Sequence, residues 1–371
     1  MSTIRYFGAD GCRYVDPNPM APDTFYWQGF APVDYGPNGL NAIFALSEDG
    51  GLIVGSDGTN DLVLTRSGSS FSSQILSIPG GYEPASYQSG GDLGPCIQRF
   101  SRSGVLAGSL AIPGGISLST NAAIWNNGPS STPTIYTDMQ DISAISDDGL
   151  SAFGRLGVGP SPTQTIERVI ATTTDLPIEN VDQSVVSNIG YCKKILININ
   201  GSTGQGEVFK KTAGAWGLVA YLTGGSPTGL DGDAKIAMGI GTGSANYVWW
   251  DLTMIGSVSS PSTISGNVLV IPAGYSTNGP GAISQNGKII IGGAFISGPP
   301  IQAPSFYWLK SEGFSTAHNL IGFINSQGSN GLGSANYPYP LPTQISATGN
   351  HICFGNNGGL PGYISLPIAP S

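Results

Sequence analysis

The strongest constraint on this chain is a short tooth that recurs along it. An apolar run ends in Ser, a turn rich in Asp, Asn and Gly follows, and a second apolar run ends in Gly. FALSEDGGLIVG from Phe44, AISDDGLSAFG from Ala144, AISQNGKIIIG from Ala282 and QISATGNHICFG from Gln344 are good copies. RFSRSGVLAG at Arg99 and VVSNIGYCKKIL at Val185 are weaker, and GLDGDAKIAMG at Gly229 is degenerate. Aligned on Ser47, Ser101, Ser146, Ser187, Leu230, Ser284 and Ser346, the teeth stand 54, 45, 41, 43, 54 and 62 residues apart. Each copy has the chemistry of a β-hairpin. Asp-Gly and Asn-Gly accept the positive φ of a tight turn, and β-branched flanks suit a pleated sheet. The Ser closing the first strand can bond the turn backbone.

A second element follows each hairpin. Trp308 in PSFYWLK lies 24 residues after Ser284, and Trp125 in AAIWNN lies 24 after Ser101. NYVWWDL from Asn246 has the corresponding place in its unit, and DTFYWQG from Asp23 carries the same aromatic strand ahead of the first full tooth. With a fourth strand such as HNLIGFI or SQILSIP, each unit has the four strands of a blade. Periods of about 40 to 50 residues with four short strands predict a β-propeller, whose blades bury both faces against their neighbours. The expected fold is therefore all-β: a β-propeller of seven blades of four antiparallel strands, closed by strands from both chain termini. A single domain spans 1–371, with closing strands in 1–41, six blades in 42–343 and the rest of the closing blade in 344–371. An eighth partial blade, and which terminus supplies which closing strand, stay open. Trp27, Trp125 and Trp308 recur at one strand position, which assigns them to packing between blades.

The Ala-Ile-Ser-x-x-Gly pattern, with its apolar run to Gly and its later Tyr-Trp or Phe-Trp strand, resembles the HAF-type repeats of bacterial extracellular and phage-associated propellers. The resemblance runs from about Ala42 to Gly355, with Ser47, Ser146, Ser284 and Ser346 in the good copies. It implies an architecture and a surface or extracellular setting, and it brings no catalytic residues.

Composition excludes several classes of partner. Charged residues are 10% of the chain, and 14 Lys and Arg against 23 Asp and Glu leave a net charge of -9. Phosphate backbones and anionic membrane surfaces are poor partners for such a chain. No apolar stretch reaches the 18 or so residues that span a bilayer, and the start MSTIRYFGADGC has no secretory h-region. With 56 Gly and 27 Pro beside 40% hydrophobic residues, the chain builds a core from short strands and many turns. Cys12, Cys96, Cys192 and Cys353 are far apart and form no CxxC or Cys/His ligand pattern, which predicts free thiols.

Catalytic signals are sparse. His318 and His351 share no metal-ligand spacing. The acidic turns at Glu48-Asp49, Asp147-Asp148 and Asp231-Asp233 lack the alternating ladder of a calcium loop, and turn chemistry accounts for them. Ser47, Asp49 and Gly51 meet only the first half of the sialidase-type S-x-D-x-G-x-x-W turn. There is no G-x-S-x-G elbow or phosphate loop, and GIGTGS at Gly239 departs from the dinucleotide fingerprint. A glycosidase would need two carboxylates converging from different blades; Asp10, Asp16, Asp34, Glu83 and Asp92 are acids with nothing to single them out. Tyr82, Tyr87, Tyr337 and Tyr339, in Pro- and Gly-rich connections, and Tyr247, in the twice-used GSANY, are the expected binding residues.

These observations lead to an expected non-enzymatic binding or assembly module: a phage virion protein of capsid or tail, virion-borne or extracellular, without cofactor or metal. Its partner would be a protein in an assembly or a surface glycan, met on long connections such as Gly313 to Pro342. Two alternatives stand beside it. One is a carbohydrate-active enzyme, a glycoside hydrolase or lyase, with its site over a central channel; the other is a secreted lectin or adhesin.

Overall fold

The computed structural model describes residues 4–7, 12–15, 32–34 and, from 42 onward, all but 48, 57–59, 68–69, 85–96, 102–103, 114–119, 147, 158–163, 180–184, 190–193, 201–202, 245, 296–303, 327–340, 356–361 and 366–371. The N-terminal end gives β1 (Ile4–Phe7), β2 (Cys12–Val15) and β3 (Pro32–Asp34). Then β4 (Ala42–Leu46), β5 (Leu52–Ser56), β6 (Asp61–Ser67) and β7 (Ser70–Ile75) form a four-stranded sheet in chain order. The strands β8 (Glu83–Pro84), β9 (Ile97–Phe100), β10 (Leu106–Ala111), β11 (Thr120–Trp125) and β12 (Thr134–Tyr136) make a five-stranded sheet, in which β8 and β9 both pair with β10. A third meander runs through β13 (Met139–Ile145), β14 (Ser151–Leu156), β15 (Gln164–Val169) and β16 (Thr174–Glu179).

The fourth sheet is β17 (Val185–Ile189), β18 (Ile195–Ile199), β19 (Gly206–Thr212) and β20 (Ala215–Thr223). After β21 (Gly225–Leu230), β22 (Ile236–Gly241) and β23 (Tyr247–Asp251), the chain sends β24 (Ser262–Ser265) back to pair parallel with β20. It then completes the fifth sheet with β25 (Asn267–Leu269). The sixth holds β26 (Ser276–Ile283), β27 (Ile289–Phe295), β28 (Ser305–Leu309) and β29 (His318–Asn319), followed by the helix α1 (Leu320–Ser326). Finally β30 (Leu341–Ile345), β31 (His351–Gly355) and β32 (Gly362–Ser365) join the N-terminal strands in the order β3-β1-β2-β32-β31-β30. Both chain ends thus share one sheet.

The fold is all-β and a β-propeller in its sheet architecture, meander after meander. The expected seven uniform four-stranded blades are corrected to six along the chain. Among the described residues, six sheets arise from successive stretches of chain, two of them five-stranded and one with a parallel edge strand, beside the six-stranded sheet of the two ends. The expected fourth strand HNLIGFI keeps only two strand residues before α1 begins. Leu320 and Ile324, four apart on one helical face, are both buried, and the Asn319 side chain accepts the Gly322 N–H at 2.8 Å as a cap. By packing, the chain divides into two compact units: Met1–Gln74, Met238–Trp249 and Asn267–Ser371 in one, Ile75–Ala237 and Trp250–Gly266 in the other.

The recurrent Ser does what its chemistry predicts. The N–H of Leu52, Ser151, Ile289 and His351 donates to the hydroxyl oxygen of Ser47, Ser146, Ser284 and Ser346 at 2.8 to 3.0 Å, tying the second strand to the first. The Ser47, Ser146 and Ser284 hydroxyls then donate to Asp49, Asp148 and Asn286. Burial alone would raise the Asp49 pKa, but the bonds from Ser47 and the Gly51 N–H hold it below the usual value. In the fifth sheet the equivalent residue is Asp231, one beyond the aligned Leu230: its Oδ1 accepts from Lys235 N at 2.7 Å and Ile236 N at 2.8 Å. Ser187 is corrected too. It sits at the bulge of β17, as Ser143 does in β13, three residues short of the turn position.

Register also explains the tryptophans. Ile283 pairs with Ile290 and Ile290 with Trp308; Phe100 pairs with Leu106 and Leu106 with Trp125. Trp125, Trp250 and Trp308 are fully buried, and their indole N–H groups donate to the carbonyls of Ser77, Thr223 and Val270 at 2.8, 2.9 and 3.1 Å. Each carbonyl lies where the preceding repeat ends, so the indole latches one repeat to the next. In the third sheet the same column reads Ile145, Ala152, Arg168. An arginine replaces the indole.

Candidate functional site

The second unit concentrates its buried charge around the sheets β13–β16 and β17–β20. Arg168 is the first element. Its guanidinium, 4% exposed, spans Asp175 on β16 and Asp138 just before β13, through four N–H···O contacts of 2.7 to 2.8 Å, and lies 5.2 Å from the Tyr136 ring centroid. The bond from Arg168 holds the Asp138 pKa below its usual value, and burial raises that of Tyr136. Bonds to Asp175 and Asp138 likewise raise the Arg168 pKa. This arginine occupies the latch column, and it holds structure.

Successive side chains on a strand point to opposite faces, so Glu167 faces the other way, toward β17–β20. The two sheets pack there through Ala144, Phe153 and Ile178 against Leu196 and Phe209, with Trp216 and Leu218 alongside. Glu167, 1% exposed, sits in this layer opposite Phe153. Its Oε2 accepts from Lys211 Nζ and from Trp216 Nε1, both at 2.7 Å. The Trp216 ring meets Phe153 edge-on at 6.0 Å, and the Lys211 ammonium stands 5.8 Å from its centroid. A buried carboxylate thus fixes an indole and an ammonium together.

Two register positions from Leu196 and Phe209, Lys194 stands across from Lys211, with Lys211 N bonded to Lys194 O at 2.7 Å. Two positions the other way Asn198 pairs with Glu207, both buried. The amides of Asn198 and Asn200 donate to the two Glu207 carboxylate oxygens, each at 3.2 Å. On the facing sheet Asp141, also buried, accepts from Arg155 Nε at 2.7 Å and from Arg155 Nη2. The layer between the sheets is therefore apolar in the middle and ionic or amide-rich beyond it on both sides.

The expected binding tyrosines fare differently. Tyr247 is corrected: it is fully buried, its hydroxyl donates to Gly293 O at 2.8 Å and accepts from Gly293 N at 3.1 Å, so it is a core anchor. Tyr82 is half-buried and its hydroxyl accepts from Asn121 Nδ2 at 3.2 Å. Tyr87, Tyr337 and Tyr339 lie outside the described residues, as do Trp27, Asp10, Asp16 and Asp92. His318 bonds Glu312 at 2.7 Å and stacks on Tyr307; the His351 ring packs over Gly50. Cys353 is fully buried. Among the described residues no three His, Cys, Asp or Glu side chains gather as metal ligands, and no helix is long and apolar enough to cross a membrane. Sequence reasoning missed Glu167, Lys211, Trp216, Asp141 and Glu207. The doublets Lys193-Lys194 and Lys210-Lys211, in a chain with only 14 basic residues, were the available signal.

No known family's sequence model matches this chain, and no curated protein does. Solved structures do. An oligogalacturonate lyase from Vibrio parahaemolyticus is similar at a TM-score of 0.56 and 10% identity, over 99% of this chain and 97% of that one. An oligogalacturonate lyase in complex with manganese gives 0.54 and 12%, over 99% and 96%. A prolyl endopeptidase gives 0.54 and 10%, over 89% of this chain and 51% of that one, so the chain spans about half its length. At such identities the likeness establishes the fold alone. It nevertheless corrects the expectation that the chain is not an enzyme, which rested on missing motifs: the same architecture carries lyase and peptidase proteins in which sequence resemblance to this chain has all but vanished. Phage and virion assignments gain nothing from these comparisons.

Proposed function

We propose that this chain is a carbohydrate-active enzyme that cleaves glycosidic bonds, as a hydrolase or a lyase. The observation that carries the reading is the pair of buried carboxylates Asp141 and Glu207, supplied by neighbouring sheets. Asp141 accepts from the Arg155 guanidinium, and Glu207 accepts from the Asn198 and Asn200 amides. Glycosidic cleavage asks for two such groups, one to give a proton to the leaving oxygen and one to take a proton or assist attack. We assign the two roles to this pair, with Asp141 held in place by Arg155. The likeness to oligogalacturonate lyases over nearly the full length of both chains supports a saccharide substrate, because it makes the whole chain, rather than a fragment, comparable with a carbohydrate-cleaving protein.

The test is a panel of uronate-containing and neutral oligosaccharides, followed for new reducing ends and for the ultraviolet absorbance of an unsaturated uronate. Cleavage is expected with at least one class, reduced at least about a hundredfold in Glu207→Gln at unchanged melting temperature. Absence of product across the panel, or full activity in Glu207→Gln, refutes the assignment.

A further inference from the structure

Trp216 departs from the rule set by the other buried indoles. Trp125, Trp250 and Trp308 are fully enclosed and bond main-chain carbonyls, whereas Trp216 is half-exposed and bonds a carboxylate side chain. It is the last member of a cross-strand row: Lys194, just before β18, stands opposite Lys211 on β19, and Lys211 opposite Trp216 on β20. Directly opposed side chains sit about 5 Å apart at Cβ, and like charges there destabilise the sheet. One carboxylate, Glu167, is buried against this row, and it goes to Lys211. Lys194 is exposed and makes no ion pair among the described residues. The chain carries a net charge of -9, so this corner is a local reversal of its field.

Two ammonium groups, one carboxylate and an indole face fixed from two sides make a specific set of complementary features. An anion beside Lys194 and Lys211 offsets their repulsion, and a flat apolar ring face next to that anion covers the indole. From this we infer that the row Lys194–Lys211–Trp216 is a recognition site for a sugar ring bearing an anionic substituent, the charge on the lysines and the ring on the indole. The inference rests on the saccharide reading above and names the substrate class. Lys210 provides an internal control. It is adjacent in sequence, but alternation puts it on the opposite face, paired with Ile195 and Gly217.

Binding is measured by calorimetry, independently of turnover, with three probes: a galacturonic acid trimer, its fully methyl-esterified form, and a sulfated galactose oligomer of similar length. The acid trimer is expected to bind at least about tenfold more tightly than the ester, with affinity falling as salt rises. Lys194→Ala weakens it about tenfold and Lys194→Glu removes measurable binding, whereas Lys210→Ala changes it less than about threefold. Preference for the sulfated oligomer assigns the charge to a sulfate; preference for the trimer assigns it to a carboxylate. Equal binding of acid and ester, or equal losses in Lys194→Ala and Lys210→Ala, overturns the inference. Tight, lysine-dependent binding without cleavage would instead sink only the enzymatic reading.

Discussion

Replacing Arg168 by Met removes the charged latch from the strand position that holds Trp125 and Trp308 in two other sheets. The guanidinium is 4% exposed and makes four charge-assisted contacts, so its loss looks like the breaking of a buried ion pair, which costs about 3 to 5 kcal/mol. The exposures of its partners lower that figure. Asp138 is 61% and Asp175 30% exposed, so both are rehydrated once the arginine is gone and neither is left as an orphaned buried charge. About 2 to 3 kcal/mol remains, while Arg168→Lys, which keeps a charge but loses the fork, costs about 1 to 2 kcal/mol. Unfolding entropy of about 2 cal/mol/K per residue over 371 residues turns 3 kcal/mol into a drop of about 4 °C, and about twice that if one compact unit melts separately. The pH dependence has a definite sign. Because the folded pKa of Asp138 lies below its ordinary 3.8, its contribution is present above that value and is lost as pH falls through the folded pKa. Calorimetric melting from neutral to acid pH should show the gap between wild type and Arg168→Met closing at low pH. A methionine variant that melts within a degree of wild type at neutral pH, or a gap that widens in acid, refutes the latch.

Gly50→Ala is expected to cost about 2 to 4 kcal/mol, because φ is +69° and the new Cβ would lie 2.3 Å from the His351 ring; Gly128→Ala, with φ +85° and open space, should cost only about 1 to 2 kcal/mol, and parallel thermal melts compare them. Ser146→Ala leaves the buried Ser151 N–H without its hydroxyl acceptor, an expected loss of about 1 to 2 kcal/mol by urea denaturation, whereas Asp231→Asn, which keeps a side-chain oxygen for Ile236 N, should cost less than half as much. Trp308→Phe removes the indole donor to Val270 O and is expected to lower stability by about 1 to 3 kcal/mol, with intrinsic fluorescence falling by one buried indole.

What could be read from the sequence follows the range of the interactions concerned. The turn Ser was legible because its demand is local: a hydroxyl at the strand end and an N–H five residues on. Asp231 escaped because a longer side chain supplies the same oxygen, and Leu230 was aligned in its stead. Ser187 misled because a bulge residue three places early carries the same chemical type as the turn residue. The indole column was visible as a spacing, but Arg168 was not, since nothing in its own segment announces that two aspartates from β16 and from the approach to β13 will meet it. Tyr247 was misjudged from its GSANY context; it opens β23 and points into the core. The row of Lys194, Lys211 and Trp216 required strand register. Two lysine doublets 17 residues apart become neighbours only when β18 and β19 pair.

Two consecutive residues of β15 separate architecture from recognition. Arg168 faces Tyr136, Asp138 and Asp175 and repeats, with charge, the bond that indoles make elsewhere; Glu167 faces the next sheet and organises Lys211 and Trp216. In a chain where charged residues are 10% of the total, placing both on one strand gives each face its own polar anchor across an apolar layer. The two anchors share no hydrogen-bond partner among those found here, so perturbations on the two faces should act independently. Arg168→Met should then shift melting while leaving binding of an acidic trimer within about twofold, and Lys194→Ala should do the reverse. If Arg168→Met weakens binding as much as Lys194→Ala does, recognition depends on how the two sheets are held, and the division between the faces of β15 fails.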